Sequence, residues 1–238
     1  MDDLQMTSPV AWTPAAPGTP VAKGPIPRWS AAAAQSLLLI PCGVLIAWHA
    51  PAAAAAYHAA SRLAYLGGVG AILVRQGSRR RAAPAEARRA EADFRRFRAT
   101  ASALMSNDAL SFVALVVVTA ESFAPPVPLA AVWTLAVVFI VVGVGVKVWA
   151  TRTLGNGSYY WRDFFIPSRS GPPAASGPYR LLSNPMYSVG YAHAYGAALG
   201  LLSWPGLVAA LLDQAGILVF NALIERPHVR AMYGSRTR

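Results

Sequence analysis

Long apolar runs alternate with short polar ones along this chain, in the rhythm of a multi-pass membrane protein. Six runs stand out, at residues 31–48, 51–74, 109–123, 129–146, 188–203 and 206–224. A spanning helix needs about 20 apolar residues. The third run reaches that length with the turn before it. The last two reach it with the 184–186 turn and the residues around Glu225. Ala124-Pro125-Pro126-Val127-Pro128 breaks the third run from the fourth, and Trp204-Pro205 joins the last two as a hairpin. Residues 1–29, rich in Pro, Thr, Gly and Ala without periodicity, read as a disordered cytoplasmic tail. A signal peptide competes for the first run, because Lys23 and Arg28 precede it. The distance from Met1 and the acidic Asp2-Asp3 weigh against that. The second run contains Arg62, which is costly inside a bilayer. Two readings stay open there: a full span, or an outer-surface segment over 52–60 with a shorter span.

The expected fold class is therefore all-α, a polytopic integral membrane helical bundle of about six apolar segments. It divides into the tail 1–29, N-terminal transmembrane segments 30–128 with a cytoplasmic loop at 75–100, and a core at 129–238. Composition agrees: 55% of residues are hydrophobic and only 13% charged, which places the chain in the membrane class. The net charge of +11 would suit nucleic acid, but its placement excludes that reading. Nine Arg fall within 75–100 against three acids, a solvated loop suited to anionic lipid. Lys23 and Arg28 lie in the tail, Lys147, Arg152, Arg162, Arg169 and Arg180 in the third polar stretch, and four Arg follow the last run. Only Arg62 is left over, and the turns near His49, Pro125 and Pro205 hold no basic residue. The positive-inside rule then sets both termini in the cytoplasm, in a multi-pass protein of the cell membrane. The single cysteine, Cys42, excludes an intramolecular disulfide and a cysteine metal site, and no metal is assigned.

Candidate chemistry gathers in the last third. From Gly177 to Gly190 a polar, turn-forming stretch runs into an apolar segment. Asn184 is a good N-cap and Pro185 fits the first helical position. The expected helix puts Tyr187, Tyr191 and Tyr195 on one face. Arg180 lies just before a helix N-terminus that favours anions. In the last run Asp213, Asn221 and Glu225 are spaced by eight and four and share a face. Asp213, far from the cytoplasmic end, reads as a structural hydrogen bond to a neighbouring helix. His193 reads as a buried, hydrogen-bonded histidine, with proton acceptance as the alternative. Gly143-Val144-Gly145 by itself marks close helix packing. The aromatics of 151–176, Tyr160 among them, serve either interfacial anchoring or substrate contact.

Gly177-Pro178-Tyr179-Arg180, three residues, then Asn184-Pro185-Met186-Tyr187 resembles the signature of membrane-embedded S-adenosylmethionine (SAM) methyltransferases. That superfamily holds phospholipid N-methyltransferases and isoprenylcysteine carboxyl methyltransferases, and the Ser183-Asn184 form is closer to the phospholipid branch. Thr153-Leu154-Gly155 through Asp163-Phe164-Phe165 and Glu225 with Pro227 extend the resemblance. Three places depart from it: Gly190 falls three residues after Tyr187 rather than two, Trp161-Arg162 replaces a smaller pair, and Arg226 stands where the family has a second acid. The resemblance implies SAM as cofactor, held by Gly143, Gly145, Arg180, Asn184, Pro185 and Glu225. It implies Glu225 and Tyr187 as catalytic and Tyr191, Asp163 and Tyr160 at a lipid acceptor, with the ethanolamine headgroup of a membrane phospholipid leading. The alternatives are carboxyl or thiol methylation of an isoprenylcysteine-like or hydrophobic small molecule, and an inactive scaffold of the same fold.

Overall fold

The computed structural model describes residues 28–82, 87–166 and 176–233. The tail expected over 1–29 lies almost wholly outside them. The described residues form seven α-helices: α1 Arg28–Ala47, α2 Pro51–Ala82, α3 Ala87–Val118, α4 Leu129–Tyr159, α5 Ala192–Gly200, α6 Trp204–Phe220 and α7 Arg226–Tyr233. A π-helical turn, Asn221–Glu225, joins α6 to α7. No strand occurs among the described residues. Three stretches are long and apolar enough to cross a membrane, at 88–118, 129–155 and 204–232.

The Arg-rich segment is not the loop expected at 75–100. Each of α2 and α3 is 32 residues long, about 48 Å at 1.5 Å per residue, against a hydrocarbon core of about 30 Å. The excess length continues both helices into the Arg-rich sequence. Ala90, Phe94, Phe97 and Ala101 form its buried stripe, at the four–three–four spacing of a helix face. Phe94 and Phe97 pack on Phe165, and Phe97 also meets Trp161, so α3 is fastened to the segment after α4.

Arg62 sits on an unbroken α2 and is buried. Its Nη1 donates to Asp108 Oδ2 at 2.7 Å and its Nη2 to the Asp213 carbonyl. Nε lies 3.2 Å from Asp213 Oδ1, close enough to pair its charge but not aligned as a hydrogen bond. His58 Nε2 is 3.2 Å from Asp213 Oδ2, and His58 Nδ1 is 3.0 Å from Ser111 Oγ. An arginine inside an apolar bundle is thus met by two acids from two other helices. Asp213 makes the neighbouring-helix contact expected of it.

The helix expected to start at Pro185 starts instead at Ala192. Asn184 is followed by turns and a short 3-10 segment, Val189–Tyr191. The Asn184 carbonyl accepts from both the amide and the hydroxyl of Ser188, and Gly190 N donates to the Pro185 carbonyl at 2.8 Å. A Cβ at Gly190 would lie 2.9 Å from that carbonyl oxygen, so this wide turn needs glycine. Gln214 of α6 then holds the turn from outside, donating to the carbonyls of Tyr187 and Ser188 at 3.1 Å each. These tertiary bonds outweigh the local N-cap signal. The remaining α5 is nine residues long, about 13 Å, which is half a span.

The chain reversals collect at two ends. Glu121 N and Phe123 N donate to the carbonyls of Leu201 and Leu202, bringing the 119–128 and 201–203 turns together. Ala54, just past the 48–50 turn, packs with Leu115, Val118 and Ala209 at that same end. The opposite end gathers Phe94, Phe97, Trp161, Phe164, Phe165 and Phe220.

Candidate functional site

Two cavities adjoin at the aromatic end. The first, about 460 Å³, is bounded by the 158–164 segment, Tyr179, the Asn184–Tyr187 turn and the last helix from Asn221 to Arg230. The second, about 450 Å³, runs among α2, α3, α4 and α6. Tyr159, Trp161, Met186 and Tyr187 line both, so they form the common wall.

Glu225, on the π turn, lines the first cavity and is bonded to that wall. Such single-turn π segments recur at functional sites because they offset side chains from the α register. Its Oε1 accepts from Trp161 Nε1 at 2.6 Å and from Tyr187 OH at 2.8 Å. Its Oε2 accepts from Asn221 Nδ2 at 2.5 Å. All three donors are neutral, and among the described residues no cation lies within ion-pair distance. Arg226, the next residue, lines the first cavity without pairing with it. The result is an oriented carboxylate that, among the described residues, has no cation at ion-pair distance.

Its donors are held in place in turn. Trp161 adopts the left-handed backbone conformation at φ 53°, which costs a non-glycine residue of order 1–3 kcal/mol. It then opens the 3-10 turn Arg162–Phe164. Arg162 reaches Glu91 of α3 at 3.1 Å; both are half-exposed, so the pair orients more than it stabilises. Tyr187 is held through its carbonyl by Gln214. Burial first and then the Glu225 charge push the Tyr187 phenol well above its ordinary pKa, which keeps it a donor. The same two causes push Tyr179 up to about 12. Phe164 stacks on His228 at 3.6 Å between ring centroids, closing the floor of the first cavity.

Among the residues expected from sequence, Glu225, Tyr187, Asn184 and Asp163 come together around the first cavity. Tyr160 and Tyr191 line the second, where Tyr187 also appears. Gly143, Gly145, Arg180 and Pro185 line neither of these two. Arg180 is exposed at the end of the Gly177–Arg180 turn, and Pro185 is buried beneath its own turn. A Cβ at Gly143 would sit 2.3 Å from the His193 amide nitrogen, so this glycine lets α5 lie on α4. Gly145 has open space beside it. Gly143→Ala is accordingly expected to cost about 1–3 kcal/mol through overpacking, while Gly145→Ala leaves stability unchanged. Thermal unfolding of the two variants in one detergent compares them.

His193, read from sequence as buried and hydrogen-bonded, has Nδ1 2.8 Å from the Gly190 carbonyl and Nε2 3.3 Å from Lys147 Nζ. Sequence reasoning did not find Trp161 as a donor, nor Asp108 and Lys147 in the wall of the second cavity. A signal for Asp108 existed: a lone Arg in one apolar run calls for acids in others.

Residues 131–236 match the family model for phospholipid methyltransferase. A phosphatidylethanolamine N-methyltransferase of Schizosaccharomyces pombe is 37% identical over 99 residues, 42% of this chain and 11% of that protein. One from Komagataella phaffii is 28% identical over 141 residues, 58% of this chain and 16% of that protein. One from Ajellomyces capsulatus is 34% identical over 113 residues, 48% of this chain and 11% of that protein. The chain thus spans between a tenth and a sixth of the length of these curated relatives. No solved structure matches it. The matched segment contains Glu225, its three donors and the whole common wall, and through that segment the chain is similar to phospholipid methyltransferases.

Proposed function

We propose that the chain is an integral membrane methyltransferase that moves a methyl group from SAM to the amine headgroup of a phospholipid, phosphatidylethanolamine first. The observation that carries this reading is Glu225, a carboxylate of the first cavity held by three neutral donors, two of which, Trp161 and Tyr187, belong to the wall shared with the second. Such a group suits a ligand that brings its own positive charge. SAM fits on three counts. It is cationic at sulfur and at its amino group, the first cavity is within the usual range for a small-molecule site, and Tyr179, Phe164 and Trp161 offer aromatic faces to an adenine. When bound, SAM supplies an electrophilic methyl on a sulfonium. Glu225 would hold the cationic end, and Asn184 and Tyr179 would line the rest.

The residues of this chain do the remaining work by placement and exclusion of water. The common wall brings the two cavities within one side chain of each other. Tyr160, Trp161, Tyr187 and Tyr191 give the acceptor side aromatic faces, which attract an alkylammonium while keeping water away. Transfer would form the N–C bond as the C–S bond breaks and S-adenosylhomocysteine leaves, the amine having first given its proton to water at the headgroup level. The relatives' names support an ethanolamine acceptor. The test is transfer of labelled methyl from SAM into total membrane lipid, with and without this protein. Label in the phosphatidylethanolamine-derived fraction is expected, and label confined to protein or to non-phospholipid material would overturn the reading.

The one-sided basic residues support an orientation with the Arg-rich helix ends, the two cavities and both termini in the cytoplasm. In a Cys42→Ala background, Arg79→Cys is expected to resist an impermeant thiol reagent in intact cells. Val127→Cys, at the other end, is expected to react. The reverse pattern would invert the protein.

A further inference from the structure

The second cavity holds a cation that the methyl-transfer chemistry does not use. Lys147 of α4 lines it, and its ammonium meets the His193 ring and the Tyr191 ring. His193 Nδ1 is 2.8 Å from the Gly190 carbonyl and must donate to it, so Nε2 presents a lone pair to Lys147 Nζ at 3.3 Å. The Tyr191 ring lies 5.5 Å from Nζ on another side. Among the described residues no carboxylate comes within ion-pair distance of Lys147. The two acids of this cavity, Asp108 and Asp213, are already engaged by Arg62 and His58. The stem of the lysine is also fixed: a Cβ at Gly190 would fall 3.0 Å from Lys147 Cγ, so glycine there leaves the lysine its track.

The Asp, Glu, Lys and Arg side chains lining this cavity are Arg62, Asp108, Lys147 and Asp213, whose formal charges cancel while Lys147 stands apart from the acids. A simple anion would unbalance it, whereas a zwitterion would not. The aromatic groups at the common wall (Tyr159, Trp161, Tyr187) are the part of this cavity nearest the first one. An ammonium there and an anion at Lys147 would align a headgroup for transfer.

We infer that Lys147 binds the phosphodiester of the acceptor lipid in the second cavity, and that His193 positions it there. This rests on the phospholipid reading above and adds to it the group that makes the enzyme select a phosphate-bearing amine. A long-chain amine lacking phosphate would reach the same aromatic wall without the Lys147 contact.

The test uses the full chain in nanodiscs, with phosphatidylethanolamine and a phosphate-free long-chain ethanolamine ether as paired acceptors. Lys147→Met is expected to raise KM for phosphatidylethanolamine roughly ten- to a hundredfold, the worth of one charge-assisted hydrogen bond. Its KM for the phosphate-free amine and its affinity for SAM should stay at wild-type values, which also shows that the variant is folded. Lys147→Arg should recover part of the loss. Unchanged KM for both acceptors overturns the inference, and so does an equal loss for both. Weakened SAM binding overturns it too, because it would assign Lys147 to the SAM carboxylate. If the wild-type protein methylates no lipid, the phospholipid reading fails by itself. Equilibrium binding of the two acceptors then decides the site: a preference for the phosphate-bearing one that disappears in Lys147→Met upholds it, and no preference ends it.

Discussion

Glu225→Gln is expected to weaken SAM binding roughly ten- to a hundredfold while the protein stays folded. The carboxylate accepts from Trp161, Tyr187 and Asn221 and, among the described residues, has no cation at ion-pair distance. Glutamine keeps the shape, removes the charge, and turns one acceptor into a donor. Its amide nitrogen must then face either the Asn221 amide or the Trp161 and Tyr187 donors. Losing a charge-assisted bond costs about 1.5–3 kcal/mol, and each 1.4 kcal/mol is about a factor of ten in affinity. If Glu225 instead takes the proton from the acceptor amine, SAM binding survives, turnover collapses and the pH profile moves. SAM affinity and methyl transfer measured on one preparation separate these outcomes, and wild-type values for both would remove Glu225 from the site.

The parts of this site that could be read in the sequence are those whose partners are near in the chain. Asn221 and Glu225 are four apart, so a shared helix face is legible, although the turn between them is π rather than α. Trp161 and Tyr187 reach the same carboxylate from 64 and 38 residues away. No periodicity carries that information, and Trp161 looked only like a departure from a family pattern. The Arg-rich helices were hidden differently. Their charges hid an apolar stripe, Ala90, Phe94, Phe97 and Ala101, narrow because it needs to cover only one neighbouring face. At Asn184-Pro185 the opposite happened: strong local helix-start chemistry was present, and the bonds from Gln214 and Gly190 overrode it. Local signals predicted α6 well because nothing distant competes with a continuous apolar helix.

The same long-range logic governs Arg62, whose loss should be the most damaging single change in the N-terminal half. Its guanidinium joins α2 to Asp108 of α3 and to both the side chain and the carbonyl of Asp213 of α6. Asp108 Oδ1 is already buried without a donor, so this cluster has no spare hydrogen bond to redistribute. Arg62→Met removes the cation and leaves two carboxylates facing each other in an apolar bundle. Breaking a buried pair from one side costs about 3–5 kcal/mol, because the surviving charge keeps its desolvation penalty. For a chain of this size that is roughly 6–20 °C in unfolding midpoint. Neutralising the stranded acids should reverse most of it: Arg62→Met with Asp108→Asn and Asp213→Asn is expected to unfold well above Arg62→Met alone. The two measurements form a pair. A low midpoint for the single variant with recovery in the triple variant identifies stranded charge as the cause. A low midpoint in both would mean that Arg62 acts by filling space between α2, α3 and α6. An unchanged midpoint in the single variant would mean that the three helices are held together without it.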